Sequence, residues 1–170
     1  MTQKKTTLLI AFLLLYIHSY SQKTADDFIK SGNQKESVKD YTGAVKDFEK
    51  AVSLDPKNSE ALYNLGYAKF EMKDFASAIK DYDQAIAADT ESVELFYNRG
   101  NAKFEMKDYK GAIEDYNKAI FIDPTDKECY FNRAIAKYNT GDRESACKDL
   151  EMAQKLGDKY VADAIKELCH

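Results

Sequence analysis

The sequence predicts an all-α fold: a right-handed α-solenoid of four helix–turn–helix repeats closed by a C-terminal capping helix. Three observations carry this reading. Asn-Leu-Gly-Tyr-Ala-Lys-Phe-Glu-Met-Lys-Asp-Phe over 64–75 returns 34 residues later as Asn-Arg-Gly-Asn-Ala-Lys-Phe-Glu-Met-Lys-Asp-Tyr over 98–109. Extended both ways, that period divides the chain into blocks 25–58, 59–92, 93–126 and 127–160. Within the blocks, small residues recur at the eighth position (Gly32, Gly66, Gly100, Ala134), the twentieth (Ala44, Ala78, Ala112, Ala146) and the twenty-seventh (Ala51, Ala85, Ala119, Ala153). Small residues let helix backbones approach, and large residues at the twenty-fourth position (Phe48, Tyr82, Tyr116, Leu150) fill the space beside them. Apolar spacing at three and four residues gives two helices per block. Stacked helix pairs share one core and expose one continuous groove.

In chain order, residues 1–21 read as a cleavable export signal. Lys4-Lys5 give a positive start, and Leu8 to Ile17 is an unbroken apolar stretch too short to span a bilayer comfortably. Ser19 and Ser21 occupy the two positions a signal peptidase reads, so cleavage is expected before Gln22, with an uncleaved anchor as the alternative. Cleavage would take the net charge from −4 to about −6. No cysteine follows the cleavage point, so a lipid anchor is not expected. The remaining chain, 22–170, reads as one exported domain, periplasmic or extracellular, without stable membrane insertion.

Block one carries Ser31 where a large apolar residue is wanted and a polar Lys35-Glu36-Ser37, as an end cap requires. In every block an aspartate (Asp40, Asp74, Asp108, Asp142) precedes the second helix and can cap its free N–H groups. Pro56 and Pro124 stop the second helices of blocks one and three, and Thr90 makes a softer stop in block two. Gly141 is the one glycine at the turn between the paired helices. Lys39, Lys73 and Lys107 stand there in the other blocks and would be slightly strained in a left-handed conformation.

Beyond block four, about 159–169 reads as a closing helix. Folding it back about Gly157-Asp158 brings Cys147 level with Cys169, and a disulfide there would staple the cap to the last repeat. Cys129 would remain free. The alternative is three buried apolar thiols.

Charged residues make up 32% of the chain, with 2 Pro and 7 Gly, which is a compact helical profile rather than a disordered one. The small net acidity offers no phosphate-binding stripe, so nucleic acid is not an expected partner. The only histidines are His18, in the signal, and His170, the last residue. The folded body therefore has no histidine general base. No Cys/His pair has metal-ligand spacing, and no Gly-rich loop follows a strand. The carboxylates follow the repeat period as caps and solvated faces. The expectation is a non-enzyme with no cofactor and no metal.

Two further sets recur with the period. Arg99 and Arg133 are expected to pair with Asp81 and Asp115, in each case across a repeat boundary, with a role as anion-binding groove residues as the alternative. Lys35, Lys69, Lys103 and Lys137 are expected to lay their stems over the helix packing and keep their charge in water.

Leu65-Gly66, Ala78, Tyr82 and Ala85, with Gly100, Ala112, Tyr116, Ala119 and Pro124, resemble the tetratricopeptide repeat family over about 25–160. The resemblance implies that the first helices line a concave groove with their second, fifth, sixth, ninth, twelfth and thirteenth positions. These supply Tyr63, Asn64, Tyr67 and Phe70, then Tyr97, Asn98, Asn101 and Phe104, then Phe131, Asn132 and Tyr138. Glu71, Glu105 and Ile135 fall on the same face, and Glu60, Glu94 and Glu128 line one margin. Asn64, Asn98 and Asn132 would form a ladder of amides able to donate to and accept from an extended peptide backbone. The aromatics either offer rigid contact area or pack between neighbouring helices. Acidic margins favour a ligand with Lys or Arg. Family members that clamp the carboxyl terminus of cytosolic chaperones use basic inner positions, which here are Ile29, Asn33, Asn64, Glu94 and Asn98. That ligand class is not expected. The function implied is a non-catalytic interaction module that holds a peptide or helix of a partner protein. The rival is a structural subunit of an envelope assembly, docked through its convex face or its ends.

Overall fold

The computed structural model describes residues 23–169. The predicted signal, 1–21, lies outside the described residues. Among them run nine helices and no strand: α1 (Ala25–Ser37), α2 (Tyr41–Leu54), α3 (Ser59–Glu71), α4 (Phe75–Ala88), α5 (Val93–Glu105), α6 (Tyr109–Ile122), α7 (Lys127–Asn139), α8 (Arg143–Lys155) and α9 (Val161–Leu168). Each helix packs on the next in the chain, and the first helices of consecutive repeats also touch. The result is an all-α solenoid of four helix pairs plus a cap.

The punctuation falls where the residue chemistry requires. Asp40, Asp74, Asp108 and Asp142 each accept from the backbone N–H three residues on, at the start of α2, α4, α6 and α8. The first helices have caps of their own, which the sequence reading did not single out: Thr24, Asn58, Ser92 and Asp126. Helices α2 and α6 end two residues before Pro56 and Pro124. Between paired helices, Lys39, Lys73 and Lys107 adopt φ of 62°, 64° and 63°, and Gly141 adopts 89°. The amide of Asp74 then reaches back to the Lys69 carbonyl at 2.9 Å, as that of Asp108 does to Lys103, closing each turn with a six-to-one bond. A lysine at a left-handed position bears a steric strain between its Cβ and the backbone that glycine avoids.

Close helix approach has a visible cause. A Cβ built on Gly66 would lie 2.8 Å from the Tyr82 ring, and one on Gly100 would lie 2.8 Å from the Tyr116 ring. Gly32 meets Phe48 in the same way. In block four the ring is replaced by the smaller Leu150, and Ala134 fits. At the far end, buried Val161 of α9 joins Leu150 and Ala153, so the last repeat has its open face covered. Cys147 and Cys169 are joined there through their sulfurs with Cα atoms 5.7 Å apart, and Cys129 is buried and free.

The ion pairing differs from the expectation. Arg99 binds Asp115 of its own repeat through both Nε and Nη2, and Arg133 binds Asp149 likewise. The boundary between repeats is crossed two residues further along the second helix, by Arg99 to Asp83 at 2.6 Å and Arg133 to Asn117 at 2.8 Å. The twenty-third position points at the first helix of its own repeat, whereas the twenty-fifth points onward. The lysines are not left wet either. Lys35, Lys69, Lys103 and Lys137 all reach the same aspartate row, at 2.6, 2.6, 2.8 and 2.7 Å. Ser31 also donates to Asp47, at 2.6 Å, which explains a hydroxyl at that position. Asp81 has Lys69 but faces Leu65 where others have Ser or Arg. Burial therefore holds its carboxyl above the usual range despite the Lys69 bond.

Candidate functional site

The predicted groove residues lie on α3, α5 and α7, and all are partly buried rather than sealed in the core. The structure gathers Phe70, Asn101, Phe104, Phe131 and Asn132 around one open cleft of about 380 Å³, completed by Glu105, Tyr116 and Ile135. Its walls come from three consecutive repeats, so only the stacked solenoid creates it.

Tyr63 and Tyr67 form a second patch, nearer the N-terminus. Their rings stack with centroids 6.4 Å apart, and Tyr63 lies 6.2 Å from Tyr82 beneath it. Glu71 adjoins this patch and accepts a bond from the Tyr41 hydroxyl at 3.2 Å. Burial pushes the Tyr63 hydroxyl up to about 12, with Glu94 adding to the effect. Burial and then the charge of Glu71 also raise the Glu36 carboxyl. Tyr138 belongs to neither patch. It packs in the capping cluster, with the Arg143 guanidinium 5.3 Å above its ring.

Both roles weighed for the aromatics are present. Tyr97 leans on Tyr116 at 6.2 Å, while Phe70 and Phe104 meet Phe75 and Tyr109 edge-on at 5.3 and 5.2 Å. Packing fixes the rings, and each remains partly accessible.

The asparagine ladder is bound into the scaffold. The Nδ2 of Asn64 donates to Asn33 at 3.1 Å, and that of Asn98 to the Tyr63 hydroxyl at 3.4 Å and the Glu94 carbonyl at 3.0 Å. Asn132 donates to Tyr97 and to Asn101, both at 3.1 Å. Each rung therefore spans two repeats. With the NH₂ groups engaged, the carbonyl oxygens are the ends suited to accept from a ligand.

Tyr116 was readable in the sequence only as core filling. In the structure its hydroxyl reaches the cleft floor and donates to Asn101 Oδ1 at 2.7 Å. The equivalent hydroxyl of Tyr82 is buried with no protein partner among the described residues, because Tyr67 stands where Asn101 does. Asn33, which accepts from Asn64, is a further rung. The recurrence of an amide at the ninth position, Asn33 and Asn101, was the available signal.

Comparison with known families gives matches to the Tetratricopeptide repeat over residues 93–126 and to TPR repeat over 25–73 and 66–107. Together these span residues 25–126, the first three of the four repeats. The chain belongs to the tetratricopeptide repeat family. Among solved structures, a MamA crystal structure is similar at a TM-score of 0.78 and 27% identity, covering 83% of this chain and 82% of that one. MamA 41-end from Desulfovibrio magneticus RS-1 gives 0.75 at 21% identity, covering 78% and 75%. The first TPR of Spaghetti (RPAP3), bound to the HSP90 peptide SRMEEVD, gives 0.68 at 24% identity, covering 69% and 94%. A comparison with the curated proteins gives no match. The tetratricopeptide solenoid is thus shared with all three structures, and at these identities the last two bear on fold alone. No helix among the described residues is long and apolar enough to cross a membrane.

Proposed function

We propose that this tetratricopeptide protein is a non-catalytic interaction module that holds an extended segment or helix of a partner protein in its concave groove. The observation that carries the reading is the cleft itself. Three repeats contribute half-buried aromatics and anchored amides to one concavity of about 380 Å³. Rigid rings give contact area at small entropic cost, and amides already fixed by bonds between repeats need no further ordering. The Spaghetti structure, bound to an HSP90 peptide, supports peptide binding as a use of this fold, although the basic positions of a chaperone-tail clamp are not matched here. The export signal read over 1–21 supports a periplasmic or extracellular setting, in which the Cys147–Cys169 bridge would persist.

A second reading has its own observation. Phe121 on α6 is 84% exposed, beside a shallow surface formed with Thr90, Glu91, Phe96 and Ile122. A structural subunit of an envelope assembly would dock through such an outer face and leave the groove empty.

Crosslinking capture from the native host separates the two. The unmodified protein is compared with a variant carrying Asn64→Ala, Asn98→Ala and Asn132→Ala. A partner held by the first and lost by the second supports the groove. A partner retained by both moves the function to the outer faces.

A further inference from the structure

We infer that the groove selects a basic segment with an apolar anchor. One large apolar side chain would sit in the cleft of Phe70, Phe104, Phe131 and Ile135, and Lys or Arg side chains would lie against Glu71 and Glu105. This rests on the groove-binding reading and adds the chemistry of the ligand.

Charge complementarity is the argument for this occupant. In the two central repeats, each first helix carries a carboxylate near both ends of its groove face: Glu60 with Glu71, and Glu94 with Glu105. The paired carboxylates are about 16 Å apart along the helix, so they form two acidic margins around an amide and aromatic floor. All four are exposed, and among the described residues none makes an ion pair. The lysines of these helices, Lys69 and Lys103, are committed to Asp81 and Asp115 on the other side. Lys30 shares a surface pocket with Glu60 at the N-terminal end of the groove, and Arg143 lies over Tyr138 in the capping cluster; neither lies in the cleft lined by Glu105. An acidic ligand would meet uncompensated carboxylates along the middle, whereas a basic one would neutralise them.

The cleft adds the second element. Four apolar side chains surround a space suited to one large side chain, and Glu105 lies on its wall. A cation beside the anchor is therefore favoured over one far from it. Consecutive first helices touch and so lie about 9 Å apart, close to three residues of extended chain. Glu71 and Glu105 would thus be reached by basic residues about three positions apart. The asparagine carbonyl oxygens can accept from backbone N–H groups between them.

The test uses the mature chain with its disulfide intact and a random display library of peptides roughly twelve residues long, enough to cross four repeats. The recovered consensus is synthesised and titrated by fluorescence anisotropy at low and high salt. The expected consensus has one large apolar residue with Lys or Arg about three positions away. Changing the apolar residue to Ser, or testing Glu71→Gln with Glu105→Gln, should weaken binding about tenfold, the second with a loss of salt dependence. Glu114→Gln, exposed on α6, should change nothing. An acidic or anchorless consensus that still depends on Asn64, Asn98 and Asn132 would overturn this inference and leave groove binding standing. Peptides indifferent to those asparagines, or no enrichment at all, would overturn both.

Discussion

Tyr82 and Tyr116 occupy the same place in consecutive repeats and differ by one hydrogen bond. Both rings are buried against a glycine, and burial raises both hydroxyls well above the ordinary tyrosine range. Tyr116 donates to Asn101, whereas Tyr82 has no partner among the described residues. A buried hydroxyl without a partner costs more than a satisfied one returns. Tyr116→Phe should therefore destabilise by about 1 kcal/mol, and Tyr82→Phe should be neutral or stabilising by up to about 1 kcal/mol. Urea midpoints of the two variants would check this, and equal losses would refute it. The sequence showed both rings and the residues at the ninth position. It did not show that the hydroxyl of one reaches the side chain of the other, because that depends on how closely the glycine lets the helices meet.

At the scale of the helix pair, each repeat is organised around the aspartate at its twenty-third position. Asp149 receives the Arg133 fork and Lys137 and is 5% exposed. Asp149→Ala would leave two largely buried cations without their partner and should cost about 3 kcal/mol, measured by urea unfolding. A loss no larger than that of an exposed pair such as Lys148–Glu144 would show that the network contributes little. Aspartate, lysine and arginine were all legible as periodic residues, but their pairing was not. A strict period places an arginine equally well against the aspartate of its own repeat or of the one before. Only the direction in which successive residues leave the second helix decides. Turns and caps were more legible because their chemistry is local: Asp74 and Asp108 cap within three residues, and Lys73 and Lys107 sit in the left-handed turn just before them.

Across the whole molecule, stacking produces what no repeat has alone: a capped core and a groove. The cap depends on α9, which is only eight residues long and has no side-chain cap at its N-terminus. The Cys147–Cys169 bridge, with a sequence separation of 22, should contribute about 3 kcal/mol. Reduction, or Cys169→Ser, should lower the urea midpoint accordingly, while Cys129 stays unreactive in the folded protein because it is buried. The repeats and their phase were legible in the sequence, since the period fixes which positions are equivalent, whereas the assignment of the first helices to the groove came from the family resemblance. The grouping of Phe70, Phe104 and Phe131 into one cleft, and the departure of Tyr138 to the cap, required the curvature of the stack. Partner binding by this concave face, rather than by the outer one, can be read in the native host. Its most direct test places a photoreactive phenylalanine analogue at Glu105, on the groove margin, or at Phe121, on the outer face, in the native host. A partner adduct is expected from position 105 and none from 121. An adduct from 121 alone would contradict groove binding and establish the outer face as the working surface.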